Sequence, residues 1–414
     1  MSATAADKAF DVAIVGAGLA GSVAATMLAR AGHAVAVIDP HAAYPDEFRC
    51  EKLDSGQMAI LKKTGLAEVV RSASTHDESA WVSRLGLLIE KRPSDQQGID
   101  YGQLVNTVRA EIPQSVSFIR DKATEIANSP DLQRVTLASG DTITARLVIL
   151  ASGLGNALRQ SMGMERVDLA PCFSLTIGFD VEPAPGARFP FRALTHYSEH
   201  ARYRVSYITL FPIGKRMRAN LFVYRDLRDP WLRAFRDDPE ATLKAAAPRL
   251  ERLTGPFRIV GPVKIRPIDL YETRGYRQPG VVLIGDAFAT ACPAAGTGAR
   301  KALFDVERLC NGYVSDWLAT PGMDAAKIAR FYDDDAKRRS DARSLDLAMR
   351  TRSMALGTSP LWWMRRLAAI ALGFSRWGLY AVRDAVHSLA PRSRAMTAST
   401  GRPSEPAAPK PSRS

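Results

Sequence analysis

The chain has little of what usually makes a site on its own. Its 414 residues contain four cysteines, at 50, 172, 292 and 310, and six histidines. The cysteines are widely spaced and form no C-x-x-C, which argues against a disulfide framework and against a zinc site. A reducing, cytoplasmic setting follows as the expectation. No run of about 18 apolar residues is present, so no spanning helix is expected. Residues 1–9 (MSATAADKA) lack the apolar core of a secretory signal. No internal repeat points to a solenoid. Acidic residues are outnumbered, 43 against 56 Lys and Arg, for a net charge of +13. What remains is a globular chain, 46% hydrophobic, with ample length for two cooperating lobes.

Against that background two glycine-rich stretches stand out. The first is Gly16-Ala17-Gly18-Leu19-Ala20-Gly21, directly after the β-branched run Asp11–Val15. That run has the composition of a buried parallel strand. Gly16 allows a tight turn, Gly18 lets a pyrophosphate approach the backbone, and Gly21 lets the next helix pack closely. The helix is expected over Gly21–Ala31, with Gly32 ending it. Val35, Val37 and Ile38 make the second strand. Asp39 ends it, near the offset at which a carboxylate accepts ribose hydroxyls. An acidic residue there favours an unphosphorylated ribose, as in FAD or NAD.

The second stretch follows the run Val281–Ile284. It reads Gly285-Asp286-Ala287, then Pro293, Gly296-Thr297-Gly298-Ala299, then the helical pattern Ala302, Leu303, Val306, Leu309. Glycines opening a helix leave N–H donors for a phosphate or an electron-rich ring. The two stretches together read as the halves of one FAD site.

Gly285, Asp286, Ala287, Pro293, Gly296, Gly298, Ala302 and Asp305 resemble the G-D-A…P…G-x-G…A…D pattern of FAD-dependent aromatic hydroxylases, the para-hydroxybenzoate-hydroxylase-like group A flavoprotein monooxygenases. The resemblance implies that Asp286 contacts the ribityl chain and that the backbone at Gly298 and Ala299 contacts the isoalloxazine. It implies that Arg49, ten residues after Asp39, meets the flavin or its pyrophosphate. It further implies noncovalent FAD and NAD(P)H as a transient co-substrate, since no second G-x-G-x-x-G follows a strand. Dioxygen would add to the reduced flavin, and a C4a-hydroperoxide would transfer oxygen to a small organic substrate. Departures are Phe288-Ala289-Thr290 where a His is frequent, Arg300 where Asn is frequent, and Ala151-Ser152-Gly153…Arg159 where the family usually has Ala-Asp-Gly…Arg. Tyr207–Pro212 (YITLFP) partly resembles an element of geranylgeranyl reductases, flavoenzymes of the same fold, and motivates a reductase of a lipid as the alternative activity. The non-enzyme alternative is an FAD-stabilised membrane or RNA binding protein. Cys292, inside the second motif, reads as a small filler, because no second cysteine is near in sequence.

The fold class expected is α/β: a discontinuous FAD-binding Rossmann-type lobe (8–70, 101–165 and 275–330), a smaller β-sheet substrate lobe (71–100 and 166–274), a helical C-terminal segment (331–390) and a disordered tail (391–414). Strands are expected at 173–181, 203–211 and 217–224. A helix should start after Asp238, its N-cap, with Pro239 at the first position, and Pro248 should end or kink it. No side chain stands out as a catalytic acid or base. From Arg350 onward eleven basic residues face only Asp384 and Glu405. Between 360 and 386 they alternate with Trp, Leu, Met and Phe, the composition of a helix resting on an anionic membrane. Peripheral attachment to the inner face of a membrane is the partner expected from this. Nucleic acid is disfavoured, since no binding motif accompanies the charge.

Overall fold

The computed structural model describes residues 9–389, with side chains described as far as residue 380 and at residue 382. Residues 1–8, the tail 391–414 and the side chains of Arg383 and Val386 lie outside the described residues.

Phe10–Val15 and Val35–Ile38 are buried on both faces, as near-continuous apolar runs must be when helices or other layers cover the sheet on each side. They pair in parallel, and Phe10–Val15 also pairs in parallel with Thr142–Leu150. Ser117–Ile119 adds to the outer edge of Val35–Ile38, and Val281–Leu283 pairs in parallel with the end of Thr142–Leu150. The antiparallel strands Gln133–Leu137 and Ala123–Ala127 complete this sheet. Five of its strands therefore end at one edge, and the chain leaves them at Gly16, Asp39, Arg120, Ala151 and Ile284. Ligands of open α/β sheets bind outside such carboxyl ends.

The first helix spans Leu19–Arg30, two residues earlier than its sequence signal, because Gly18 itself is the N-cap. Gly32 then sits at φ +89 and turns the chain out of the helix. Apolar side chains of this helix, of Tyr101–Arg109 and of Gly298–Leu309 share one core with the parallel strands.

A second, largely antiparallel sheet runs in the order Phe257–Arg274, Glu165–Pro183, Arg216–Val223, Val205–Ile213, Ala193–Tyr197, Ser79–Arg84 and Leu87–Pro93. Side chains alternate between its faces. Leu175, Ile177 and Phe179 point to a core shared with Leu232, Phe235 and Leu243 of the helices Pro230–Asp237 and Pro239–Ala246. The second of these helices starts at Asp238, whose side chain accepts from Ala241 N–H, and ends before Pro248. The alternate residues, Thr176 and Gly178 among them, face the other way, toward the parallel sheet's carboxyl edge. Strands Lys52–Leu53, Gln97–Gly98 and Thr75–His76 form a small third sheet.

After Gly298–Leu309 the chain is helical: Ala325–Tyr332, Asp335–Leu356 and Pro360–Leu389. No helix among the described residues is long and apolar enough to cross a membrane.

Candidate active site

One cavity of about 900 Å³ connects the two glycine-rich stretches with the open face of the second sheet. Gly16, Gly18, Ala20, Asp39, Arg49, Asp286, Gly296, Gly298 and Ala299 line it; Ala17 and Gly21 stand just behind its wall.

At the first stretch the three glycines do different work. Gly16 has φ +97, and a Cβ there would lie 2.6 Å from the Ala151 carbonyl oxygen. A Cβ on Gly21 would overlap the Gly16 carbonyl oxygen. Both are demanded by the packing of turn, helix and strand. Gly18 is different: its φ is −69, and a Cβ would meet only Tyr44 Cε2, at 3.8 Å. The protein leaves that side of the backbone open to the cavity. Ala17 N–H donates to Asp39 Oδ2 at 2.8 Å, and His41 N–H to Oδ1 at 2.9 Å. Arg109, absent from the sequence expectations, completes the corner. Its guanidinium lies 3.1 Å from Asp39 and donates to the carbonyls of Ala17 and His41, both at 2.8 Å. Arg109 is the last residue of its helix and belongs to no motif, so only the fold brings it here.

The second stretch is braced from behind. Gly285 N–H donates to Asp305 Oδ2 at 3.0 Å, and Asp305 is wholly buried with Lys337 at 2.8 Å and Lys301 at 3.5 Å. Burial raises the Asp305 carboxyl, but the two ammonium groups outweigh it and hold it below its ordinary value. Gly285 sits at φ +60, the left-handed region that favours glycine, and a Cβ there would only touch Ala302 Cβ, at 3.4 Å. Arg159 is fully buried and donates to the Ala287 carbonyl at 2.8 Å, to Thr273 at 2.9 Å and to Gly155 at 3.1 Å. It ties the Ser152–Gly155 turn to the Gly285–Ala287 turn, so the two loops bordering the cavity share one anchor. Ser152 itself lines the cavity.

Arg49 bridges the two halves. It donates to Asp286 at 3.1 Å and to Glu47 at 2.7 Å, while Tyr44 Oη donates to the same Glu47 at 2.6 Å. Burial pushes the Glu47 carboxyl up, but these partners overcome it and bring it to about 2. Tyr101 stands beside Arg49, with its ring centroid 5.8 Å from the guanidinium carbon.

The second sheet supplies the remaining wall in two registered rows. Tyr197, Tyr207, Phe222 and Thr176 pair across four strands, as do Thr195, Thr209 and Asn220 one step along, next to Gly178. A Cβ on Gly178 would overlap the Phe48 ring, so Phe48 rests on the sheet there. One row is aromatic, the next polar. Tyr207, Thr209 and Phe211 are alternate residues of the Tyr207–Pro212 element, and all three reach the cavity. Tyr207 Oη donates to the Ala294 carbonyl at 2.9 Å, fastening this sheet to the second glycine stretch. Cys292 is fully buried beside Ser174 Oγ, 3.4 Å away, and burial raises its thiol pKa, as suits a filler rather than a reactive thiolate.

Glu51 also lines the cavity and had no sequence signal. It lies 3.2 Å from Arg218, which is shared with Asp180 at 3.3 Å and Asp100 at 3.6 Å. Burial dominates, and the Glu51 carboxyl is pushed up to about 7.

Known proteins resemble this chain in sequence and in fold. Residues 9–314 match the family model described as FAD binding domain. Mouse squalene monooxygenase is 25% identical over 319 residues, 72% of this chain, and the chain spans about half of that relative, 53% of its length. The 6-hydroxynicotinate 3-monooxygenase of Bordetella bronchiseptica is 24% identical over 80% of this chain and 88% of its own. Among solved structures, p-nitrophenol 4-monooxygenase of Pseudomonas putida shares the fold, with a TM-score of 0.71 over 92% of this chain and 97% of that one at 17% identity. With three quarters of its length inside the family model, this chain belongs to the FAD-binding domain family, and FAD is its cofactor.

Proposed function

We propose that the chain is a monooxygenase that places one oxygen atom on a lipophilic or aromatic small molecule, with NAD(P)H as transient reductant. The observation that carries this reading is the single cavity joining both glycine stretches to the aromatic and polar rows of the second sheet. A cavity of this form seats a cofactor at one end and leaves a concave, mostly apolar space at the other.

The residues present fit FAD. The open side of Gly18 suits a pyrophosphate, and the Asp39 carboxylate suits ribose hydroxyls. Arg49 and Asp286 offer one cation and one acceptor between the halves. Gly298 and Ala299, at the start of a 12-residue helix, offer N–H donors to an electron-rich ring. When bound and reduced, a flavin supplies the activation of dioxygen. The protein's part is to position, to exclude water and to present hydrogen bonds. Thr195, Thr209 and Asn220 can orient a polar substituent, while Tyr197 and Phe222 flank an apolar ring. Glu51, near neutrality, can hold or release a proton at its carboxyl.

A second reading, reduction of a lipid double bond, is favoured by Tyr207, Thr209 and Phe211 all facing the cavity. Isotopic oxygen separates the two. The FAD-loaded protein, NADPH or NADH and ¹⁸O₂ are mixed with a panel of phenols, aryl carboxylates and isoprenoid alcohols. One labelled atom in the product supports oxygenation; a saturated product formed without oxygen uptake supports the reductase.

We also propose that helix Pro360–Leu389 rests on an anionic lipid surface. One side packs on Leu87–Pro93, where Ile89 meets Gly373 and Arg376 lies 3.0 Å from buried Glu90. The opposite side exposes Leu361, Met364, Leu367, Leu372, Leu379 and Val382, with Arg365 and Arg376 at its rim. Arg366 is not available to lipid. It turns inward and donates to the carbonyls of Met354 at 2.6 Å and Gly357 at 2.9 Å, closing the end of helix Asp335–Leu356.

A further inference from the structure

Five lysines and arginines line the cavity. Lys122 stands on the first sheet's side, just past strand Ser117–Ile119, and the other four border the second sheet in differing surroundings. Arg49 is neutralised by Glu47 and Asp286, and Arg266 lies 3.4 Å from Glu47. Lys52 and Arg92 line the same cavity, yet among the described residues neither has a carboxylate within 4.0 Å. Lys52 projects from its two-residue strand over the ring of Phe211, 5.1 Å from the centroid. Arg92 belongs to the edge strand Leu87–Pro93, opposite Ala80, which in turn pairs with Ala193. Phe211, Ala80 and Ala193 form one small buried cluster, so the two cations flank the same corner of the sheet. Two partly buried positive groups that feel each other's charge, with no carboxylate in contact, carry an electrostatic cost that a bound anion relieves.

We propose that the organic substrate carries an anionic group, a carboxylate, which sits between Lys52 and Arg92. This rests on the reading of the second sheet's face as the substrate wall. Arg92 lies on the outermost strand of that sheet, whereas Tyr207 and Phe222 lie toward the second glycine stretch. The substrate is then held across the sheet, its anion toward the Leu87–Pro93 edge and its other end toward the aromatic row.

The charges support this. Burial lowers the Lys52 ammonium to about 8, with Asp77 opposing the fall and Arg92 adding to it, so Lys52 keeps its proton at neutral pH. Asp77 stands behind Lys52, outside the cavity lining, and burial raises its own carboxyl. Asp54, the other acid at this corner, is committed to the N-cap of helix Ser55–Lys63 through Gln57 N–H at 2.8 Å. Gln96, beside them in the cavity wall, offers an uncharged amide to the same group.

The test is a titration of the FAD-loaded full chain, read by the flavin absorption spectrum. It uses ligand pairs differing only in charge: 4-hydroxybenzoate with 4-hydroxybenzamide, 3-phenylpropionate with its amide, and decanoate with decanamide. For at least one pair the carboxylate should bind about tenfold or more tightly than the amide, the size of a charge-assisted contact. In Lys52→Gln/Arg92→Gln that preference should fall to within about twofold, with amide affinity and FAD content unchanged. A wild-type protein with no preference in any pair overturns the proposal, and so does a preference that survives the double substitution. If the substitutions weaken NADPH binding instead and leave the carboxylates untouched, the two cations serve the nicotinamide phosphates and the proposal fails. Since no turnover is needed, failure here is distinct from a failure to incorporate ¹⁸O₂, which would reject oxygenation itself.

Discussion

Gly18 and Gly21 belong to one motif, yet the fold needs them for different reasons, and substitution should separate those reasons. At Gly18 the backbone is extended (φ −69, ψ −168), a conformation open to any residue, and the nearest atom to a new Cβ is Tyr44 Cε2 at 3.8 Å. Gly18→Val should therefore change the stability of the cofactor-free protein by no more than about 1 kcal/mol. The valine would instead occupy the side of the backbone that the cofactor needs. A ligand at 100 times its Kd stabilises its protein by about 2.7 kcal/mol, which for a chain of this size raises the melting temperature by several degrees. Gly18→Val should lose that increment while melting near wild type without FAD. Gly21→Ala drives a methyl into the Gly16 carbonyl oxygen and should lower the melting temperature with and without FAD. Differential scanning fluorimetry across an FAD titration reads both. A Gly18→Val protein that gains the full FAD increment would refute the cradle assigned to this backbone.

Arg49→Leu removes the link between Glu47 and Asp286 and should weaken FAD binding by about tenfold or more, measured by flavin fluorescence on titration. Cys292→Ala should retain FAD and turnover, losing only the small packing contribution of a buried sulfur. Glu51 gives a pH signature. Its folded pKa, raised to about 7, exceeds the ordinary carboxylate value, so the folded state binds more protons and stability falls as pH rises from about 5 to 7. Glu51→Gln should remove that fall, by up to a few kcal/mol, and urea unfolding at pH 5 and pH 7.5 compares the two proteins. Met364→Glu/Leu367→Glu, both on the exposed face, should abolish sedimentation with phosphatidylserine vesicles at low salt and leave the melting temperature unchanged.

Much of the cofactor end was legible in the sequence because it is local. Tight turns, strand ends and helix starts announce themselves through Gly16, Gly18, Asp39, Gly285 and Asp286. Asp238 and Pro239 announced their helix for the same reason. The first helix began at Leu19 rather than Gly21 because the motif marks its packing contact, not its cap. What stayed hidden depends on long-range neighbours. Arg109 reaches Asp39 across 70 residues of sequence, and Lys337 reaches Asp305 from a different helix. The two rows of the second sheet exist only once register is fixed, so Thr195, Thr209 and Asn220 carry no signal singly. Charge counting also misled at the C-terminus. Arg366 looked like a lipid-facing arginine, but it satisfies the carbonyls at a helix end, which any buried helix terminus demands.

The central claim is that two distant glycine stretches build one FAD site opening onto a substrate wall. The most direct measurement is the nucleotide released by denaturing the purified, FAD-equilibrated chain, identified by mass spectrometry and quantified by absorbance. One FAD per chain should be released intact without proteolysis, and almost none from Gly18→Val. Recovery of NAD, or of no nucleotide after loading, would contradict that claim.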